Sequence, residues 1–285
     1  MKAALYPNFK KKNALKTSLK VCDILNKLDI SVLVDIKYMN EFSEKSFVGF
    51  GDMTSIANDA DIIIAIGGDG TIIKASVYSV QFDKQLLGIN TGHLGFMASM
   101  EIDELENLSK LKTGEYTTEK RMMIDCILEK SDGERVTFSA LNDVVVARSC
   151  SKLTDYSILT DGIVVSSLRS DGVVFATPTG STAYALSCGG PIMEPRTECI
   201  QFTPICPHSL FARTMLFSAD RELELIHYNE GTSSVYFSID GMDGIVFSKN
   251  ERLIIRKSNK YLRLIDIKGN SFFDAVNNKL MNAIK

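Results

Sequence analysis

The sequence predicts an α/β protein: an N-terminal Rossmann-like parallel-sheet domain, a mainly β C-terminal domain, and a C-terminal helix that returns to the first domain. Three observations predict it. Up to about residue 90, apolar runs of strand length alternate with helix-periodic segments, which implies a parallel sheet with crossover connections. From about residue 118 the texture changes to short β-rich runs punctuated by turn residues. Residues 272–284, FFDAVNNKLMNAI, are helix-like again.

Residues 2–6 form a short apolar strand that Pro7-Asn8 interrupts. Across 12–28, Leu15, Leu19, Cys22, Leu25 and Leu28 recur at helical spacing. Residues 30–35 read as a second strand, and the stretch to about 56 shows no regular pattern. The run DIIIAI at 61–66 has the composition of a buried strand and ends on a glycine cluster. A helix over 71–80 and a strand over 85–89 follow. In the second half the β runs are 122–129, 135–138, 144–147, 163–168, 173–176, 222–227, 234–239 and 252–256. The expected domains are therefore 1–118 together with about 269–285, carrying the glycine loop, and 119–268, rich in β structure.

Composition narrows the function. Of 285 residues, 45% are hydrophobic and 24% charged, enough for a sizeable core in a soluble protein. A net charge of −3 argues against a general nucleic-acid binder. No run approaches the ~18 apolar residues of a membrane span, and MKAALYPNF lacks a secretory signal's apolar core. The six cysteines, Cys22, Cys126, Cys150, Cys188, Cys199 and Cys206, form no CxxC pair and no zinc-spaced cluster with histidine. They read as reduced thiols in a cytoplasmic protein, and no metal-ligating set is expected.

The most informative segment is Gly67-Gly68-Asp69-Gly70-Thr71. Ligands of open α/β sheets bind at the carboxyl ends of strands. Glycines there permit close backbone approach, and a following helix aims free N–H groups at the same place. The arrangement suits a polyphosphate. It is neither a Walker A loop nor GxGxxG. Its distinctive feature is Asp69, an acid able to accept a proton from an attacking hydroxyl or to help place a metal ion; both roles belong to phosphoryl transfer. Lys74, on the following helix, joins the candidate nucleotide contacts. The five other Asp-Gly pairs, beginning at Asp132, Asp161, Asp171, Asp240 and Asp243, read as hairpin turns.

Residues 66–71 resemble the GGDGT signature of the NAD kinase family, and related loops occur in diacylglycerol and sphingosine kinases and in phosphofructokinases. The loop alone thus implies a kinase without an acceptor. GINTGHLGF at 88–96 resembles the family segment that borders the nucleotide, with His93 and Phe96 as pocket candidates. The Asn142-Asp143 pair opening LNDVVV resembles the family's Asn-Glu or Asn-Asp pair, which implies contacts to the ribose and base. The run DGVVFATPTGSTAYALSCGGP at 171–191 is the most specific. By physics, a strand ends at Thr177-Pro178-Thr179-Gly180 and a short helix begins near Ser181, a suitable N-cap. Hydroxyls and free amides, including Thr179, gather at that junction. The string closely resembles ATPTGSTAYxLSxGGP of NAD kinases, which implies that Thr182, Ala183, Tyr184 and Ser187 contact the dinucleotide. Asp171 would lie near the nicotinamide side or its ribose, and Arg169 near a ligand phosphate; a solvated strand-end charge is the plainer reading of Arg169. PICPHS at 204–209 and SIDG at 238–241 also resemble family segments, with Met242 where Gln is common.

The resemblance implies transfer of the γ-phosphoryl of ATP to the 2′-hydroxyl of the adenosine ribose of NAD, giving NADP, with Asp69 as general base and Mg²⁺ or another divalent cation carried by ATP. It also implies a homodimer or homotetramer built through the β domain. Inorganic polyphosphate stays open as donor. A kinase with another acceptor, such as a lipid, and a non-catalytic dinucleotide sensor are the competing readings.

Overall fold

The structure is a computed structural model that describes residues 1–92, 95–148, 153–228, 234–269 and 271–281. Two compact units divide the chain: Met1–Lys120 with Leu262–Lys285, and Arg121–Tyr261.

The first unit begins with β1 (Lys2–Pro7), α1 (Ala14–Lys27), β2 (Ser31–Asp35), β3 (Val48–Gly51), α2 (Met53–Asp59), β4 (Ile62–Gly67), α3 (Asp69–Gln81), β5 (Gln85–Asn90) and α4 (Ser109–Thr113). These strands pair in parallel, in the order β5-β4-β1-β2-β3. Every residue of β4 is buried, as its apolar run requires. The buried face of α1 is Ala14, Thr17, Ser18, Val21, Cys22 and Leu25. Leu15, which the helical spacing places on that face, is 40% exposed. The irregular stretch to residue 56 contains β3 and the start of α2, which Asp52 caps by accepting the Ser55 N–H at 3.0 Å.

The chain leaves β1 toward β2 and β3, then returns to the other flank of β1 as β4. The strand order therefore reverses between β1 and β4, and their carboxyl ends, Pro7 and Gly67, bracket the crevice where such sheets take ligands. Asn8 closes the junction by donating its N–H to Ile66 O at 3.0 Å.

The second unit contains most of β6 (Thr117–Glu129), then β7 (Arg135–Ala140), β8 (Asp143–Arg148), β9 (Thr154–Thr160), β10 (Ile163–Ser170), β11 (Gly172–Ala176), α5 (Tyr184–Ser187), β12 (Cys199–Ile205), β13 (Met215–Ser218), β14 (Leu223–His227), β15 (Val235–Ile239), β16 (Ile245–Phe247) and the first part of β17 (Arg252–Asp266). One antiparallel sheet runs β13-β12-β11-β8-β15-β16; β10, β9, β14 and β17 pair antiparallel in another. Tyr156, Ile158, Leu223, Leu225, Leu253 and Ile255 of the latter cluster with Val144, Val146, Val173, Phe175, Phe202 and Phe237 of the former as one core. Strands β9, β12, β13 and β16 were not anticipated, and β17 runs ten residues past its expected end.

Residues Arg263 and Leu264 at the end of β17 pair parallel with Gln85 and Leu86 in the first unit, and α6 (Ser271–Val276) continues into a π-helical turn, Asn277–Met281. The C-terminal helix thus belongs to the first unit, as the sequence predicts; residues 282–284 of the expected helix lie outside the described residues, as do Cys150 and His93.

Of the five Asp-Gly pairs, those at 132, 161 and 240 form turns, the last two with positive φ at both residues. Asp171-Gly172 does not: Gly172 starts β11, and a Cβ there would collide with Val146 O. Asp243-Gly244 forms no turn either.

Candidate active site

The loop at residues 67–71 is braced from below and open above. Gly67 is required by contact, because a Cβ would overlap the Thr71 side chain. Thr71 is buried, and its Oγ1 accepts from Asn8 Nδ2 at 3.2 Å. Thr91 N–H donates to Gly67 O at 2.8 Å. Cβ positions at Gly68 and Gly70 would meet nothing within 4 Å. Gly68 is the N-cap of α3 and brings no side chain to cap the first N–H groups of the helix.

Asp69 stands in the first turn of α3. Its carboxylate accepts the Phe96 N–H at 2.9 Å and the Met97 N–H at 3.2 Å. Gly95 lies so close to the carboxylate that no side chain fits. One oxygen pair is thereby held in a fixed orientation beside the glycines. Lys74 is exposed on α3. Phe96 is half-buried, and Lys279 Nζ lies 4.2 Å from the centroid of its ring.

In the second unit, the start of β8 is gripped by two partners. Asp240 accepts the N–H groups of Leu141 at 2.8 Å, Asn142 at 2.7 Å and Asp143 at 3.0 Å. Thr177 donates its N–H to Asn142 O at 2.8 Å and its hydroxyl to Leu141 O at 2.5 Å. A Cβ at Gly180 would collide with the Asn142 backbone, so the glycine lets the two segments touch. Asn142, Asp143, Val145, Ala183, Tyr184, Ser238, Asp240 and Gly241 line a cavity of about 370 Å³. Asn142 Oδ1 is buried there without a hydrogen-bond partner. Burial, followed by the charge of Asp240, pushes the Asp143 carboxyl up to about 7. Burial raises Asp240 as well, against the lowering effect of its three amide donors.

Of the expected dinucleotide contacts, Asn142, Asp143, Ala183 and Tyr184 line this cavity; Thr179, Thr182, Ser187, Arg169 and Asp171 do not. Arg169 makes a two-pronged pair with Asp155, at 2.8 and 2.7 Å. Asp171 is exposed, near enough for its charge to raise the Tyr184 hydroxyl slightly, behind burial and Cys188. Thr179 is buried with Oγ1 unpartnered, Thr182 Oγ1 donates to Thr179 O at 3.3 Å, and Ser187 is exposed. Ser181 is not an N-cap. Its hydroxyl donates to Pro178 O at 2.7 Å and accepts the Met193 N–H at 2.9 Å, so it ties the loop together from inside. Ser238 and Asp240 were missed as cavity residues; the SIDG string was their only signal.

Comparison with known proteins decides the family. The model of the ATP-NAD kinase N-terminal domain matches residues 4–116, and that of the ATP-NAD kinase C-terminal domain matches residues 141–267.

The chain belongs to the ATP-NAD kinase family.

An NAD kinase of Thermoanaerobacter sp. (strain X514) is 37% identical over 284 residues, covering 98% of each chain. Among solved structures, an NAD kinase from Archaeoglobus fulgidus in complex with ATP is 25% identical, with a TM-score of 0.73 and 99% of each chain covered. A yeast NADH kinase complexed with NADH shares the fold at a TM-score of 0.89 and 23% identity, over 99% of this chain and 87% of that one. A kinase of this family phosphorylates NAD to NADP.

Proposed function

We propose that this chain transfers the γ-phosphoryl group of ATP to the 2′-hydroxyl of the adenosine ribose of NAD, with Asp69 as general base. The observation that carries the proposal is an oriented carboxylate inside a glycine loop at the point where the strand order reverses. Phosphoryl transfer needs little covalent help from a protein; positioning and charge placement supply most of the catalysis. Asp69, held by two amides, takes the hydroxyl proton as the oxygen–phosphorus bond forms. The open backbone at Gly68 and Gly70, with the N-terminus of α3, holds phosphate oxygens, and Gly67 and Thr71 keep the loop in shape; Lys74 and Phe96 border it.

The cavity holds the dinucleotide. Asn142 offers an unpaired oxygen to a base amine, Asp143 accepts from ribose hydroxyls, and Tyr184, 44% exposed, supplies an aromatic face. Thr179, Thr182, Ala183, Ser187 and Asp171 complete the contacts at its rim, and Arg169 reaches a ligand phosphate by exchanging its Asp155 partner.

No group of three or more metal-ligating side chains occurs among the described residues. A magnesium ion carried by ATP would offset the phosphate charge. The five described cysteines are free thiols, consistent with a cytoplasmic enzyme. The family implies a homodimer or homotetramer assembled through the second unit.

Incubating the pure protein with ATP, Mg²⁺ and NAD and measuring NADP tests the reading. Steady NADP formation supports it. Binding of NAD without product would favour a sensor, and neither binding nor product would favour another acceptor.

A further inference from the structure

The C-terminal helix sets a lysine on the ring of Phe96. Lys279 lies on the π-helical turn that ends α6, in the same unit as the loop. Such turns widen a helix locally and are frequent at functional sites. Its ammonium rests 4.2 Å from the centroid of the Phe96 ring. The backbone N–H of that same Phe96 holds Asp69 at 2.9 Å. One residue therefore touches the Asp69 carboxylate at its amide and the Lys279 ammonium at its ring.

The charge balance at the loop gives this cation a purpose. Asp69 is an acid beside the place proposed for a polyphosphate anion, and no cation pairs with it among the described residues. An exposed cation–π contact is weak and easily exchanged, whereas an ammonium on a phosphate oxygen makes a stronger, charge-assisted hydrogen bond. Lys279 is exposed, and no carboxylate pairs with it among the described residues. It is thus free to exchange the ring for a phosphate without breaking an ion pair.

We propose that Lys279 is a donor-binding residue: its ammonium leaves the Phe96 ring and binds the terminal phosphates of the donor. The proposal rests on the kinase reading above. It assigns Lys279 to the phosphoryl donor, because its ammonium rests on Phe96, whose amide holds Asp69 in the loop proposed for the phosphates.

The test uses the full-length chain as Lys279→Ala, Lys279→Gln and Lys279→Arg. The Ala and Gln variants should raise the KM for ATP about tenfold or more, the size expected for loss of a charged hydrogen bond. The KM for NAD should stay within about twofold, and Arg should restore most of the loss. ATP affinity measured by calorimetry without NAD should fall in parallel. An unchanged ATP KM in Lys279→Ala, an effect confined to NAD, or an Arg variant as poor as Ala would overturn the proposal. Wild-type protein that binds ATP but makes no NADP would defeat the kinase reading alone, and the binding comparison would then decide Lys279. Wild-type protein that binds no ATP would overturn both.

Discussion

The Asp240 carboxylate accepts the backbone N–H of Asn142 at 2.7 Å, joining residues 98 apart in sequence. The same carboxylate also takes the N–H groups of Leu141 and Asp143. An aspartate in a turn between β15 and β16 thereby fixes the entry into β8, where Asn142 and Asp143 line the cavity. Asp240→Ala leaves these amides without their acceptor. It should lower stability by ~1–3 kcal/mol and raise the KM for NAD, while Asp240→Asn, which keeps one acceptor oxygen, should lose less of each. Denaturant unfolding and NAD titration measure both.

The Asp143 carboxyl, raised to about 7, makes stability depend on pH. Between the ordinary carboxylate range and about 7 the folded state binds a proton that the unfolded state has released. Stability should therefore fall as pH rises from about 4 to 7, with a slope from this group of at most ~1.4 kcal/mol per unit. Asp143→Asn removes that term. Its stability relative to wild type should improve from pH 5 to about pH 7 and level off above that, as read from unfolding midpoints at each pH. A constant difference would refute the assignment.

Glycines of the loop should separate by contact. Gly67→Ala forces a methyl into Thr71 and should destabilise the protein. Gly70→Ala meets nothing within 4 Å and lies in α3, where alanine is favoured by ~0.5–1 kcal/mol. That variant should be at least as stable as wild type yet bind ATP more weakly, because the methyl occupies the open space above the loop. Thermal unfolding and ATP KM, measured on both variants, test the pair.

Gly180→Ala tests the contact between the two segments of the second unit. The methyl would overlap the Asn142 backbone, so one segment must move. NAD affinity should drop by more than tenfold, on the order of ~1.4 kcal/mol or above, while ATP affinity is retained.

The loop was legible in the sequence because all its determinants are contiguous: an uninterrupted apolar strand, then glycines, then a helix. The string at 171–191 was legible for the same reason. Asp240 was not, because five similar Asp-Gly pairs occur and only the fold shows which one turns its carboxylate onto a distant strand. Ser181 has the composition of an N-cap, yet its hydroxyl is claimed by Pro178 and Met193. Strand β12, CIQFTPI, is wholly buried but carries Gln201, Thr203 and Pro204, which hide its apolar character. Lys279 lay in a segment read only as a helix, and its contact with Phe96 spans most of the first unit's sequence.

The central claim is that Asp69 takes the proton from the ribose hydroxyl. The most direct measurement compares NADP formation by wild-type protein and Asp69→Asn at saturating ATP, Mg²⁺ and NAD, with NAD affinity measured in parallel. The account predicts a loss of about 10²- to 10⁴-fold in turnover with NAD affinity retained; turnover close to wild type would contradict it.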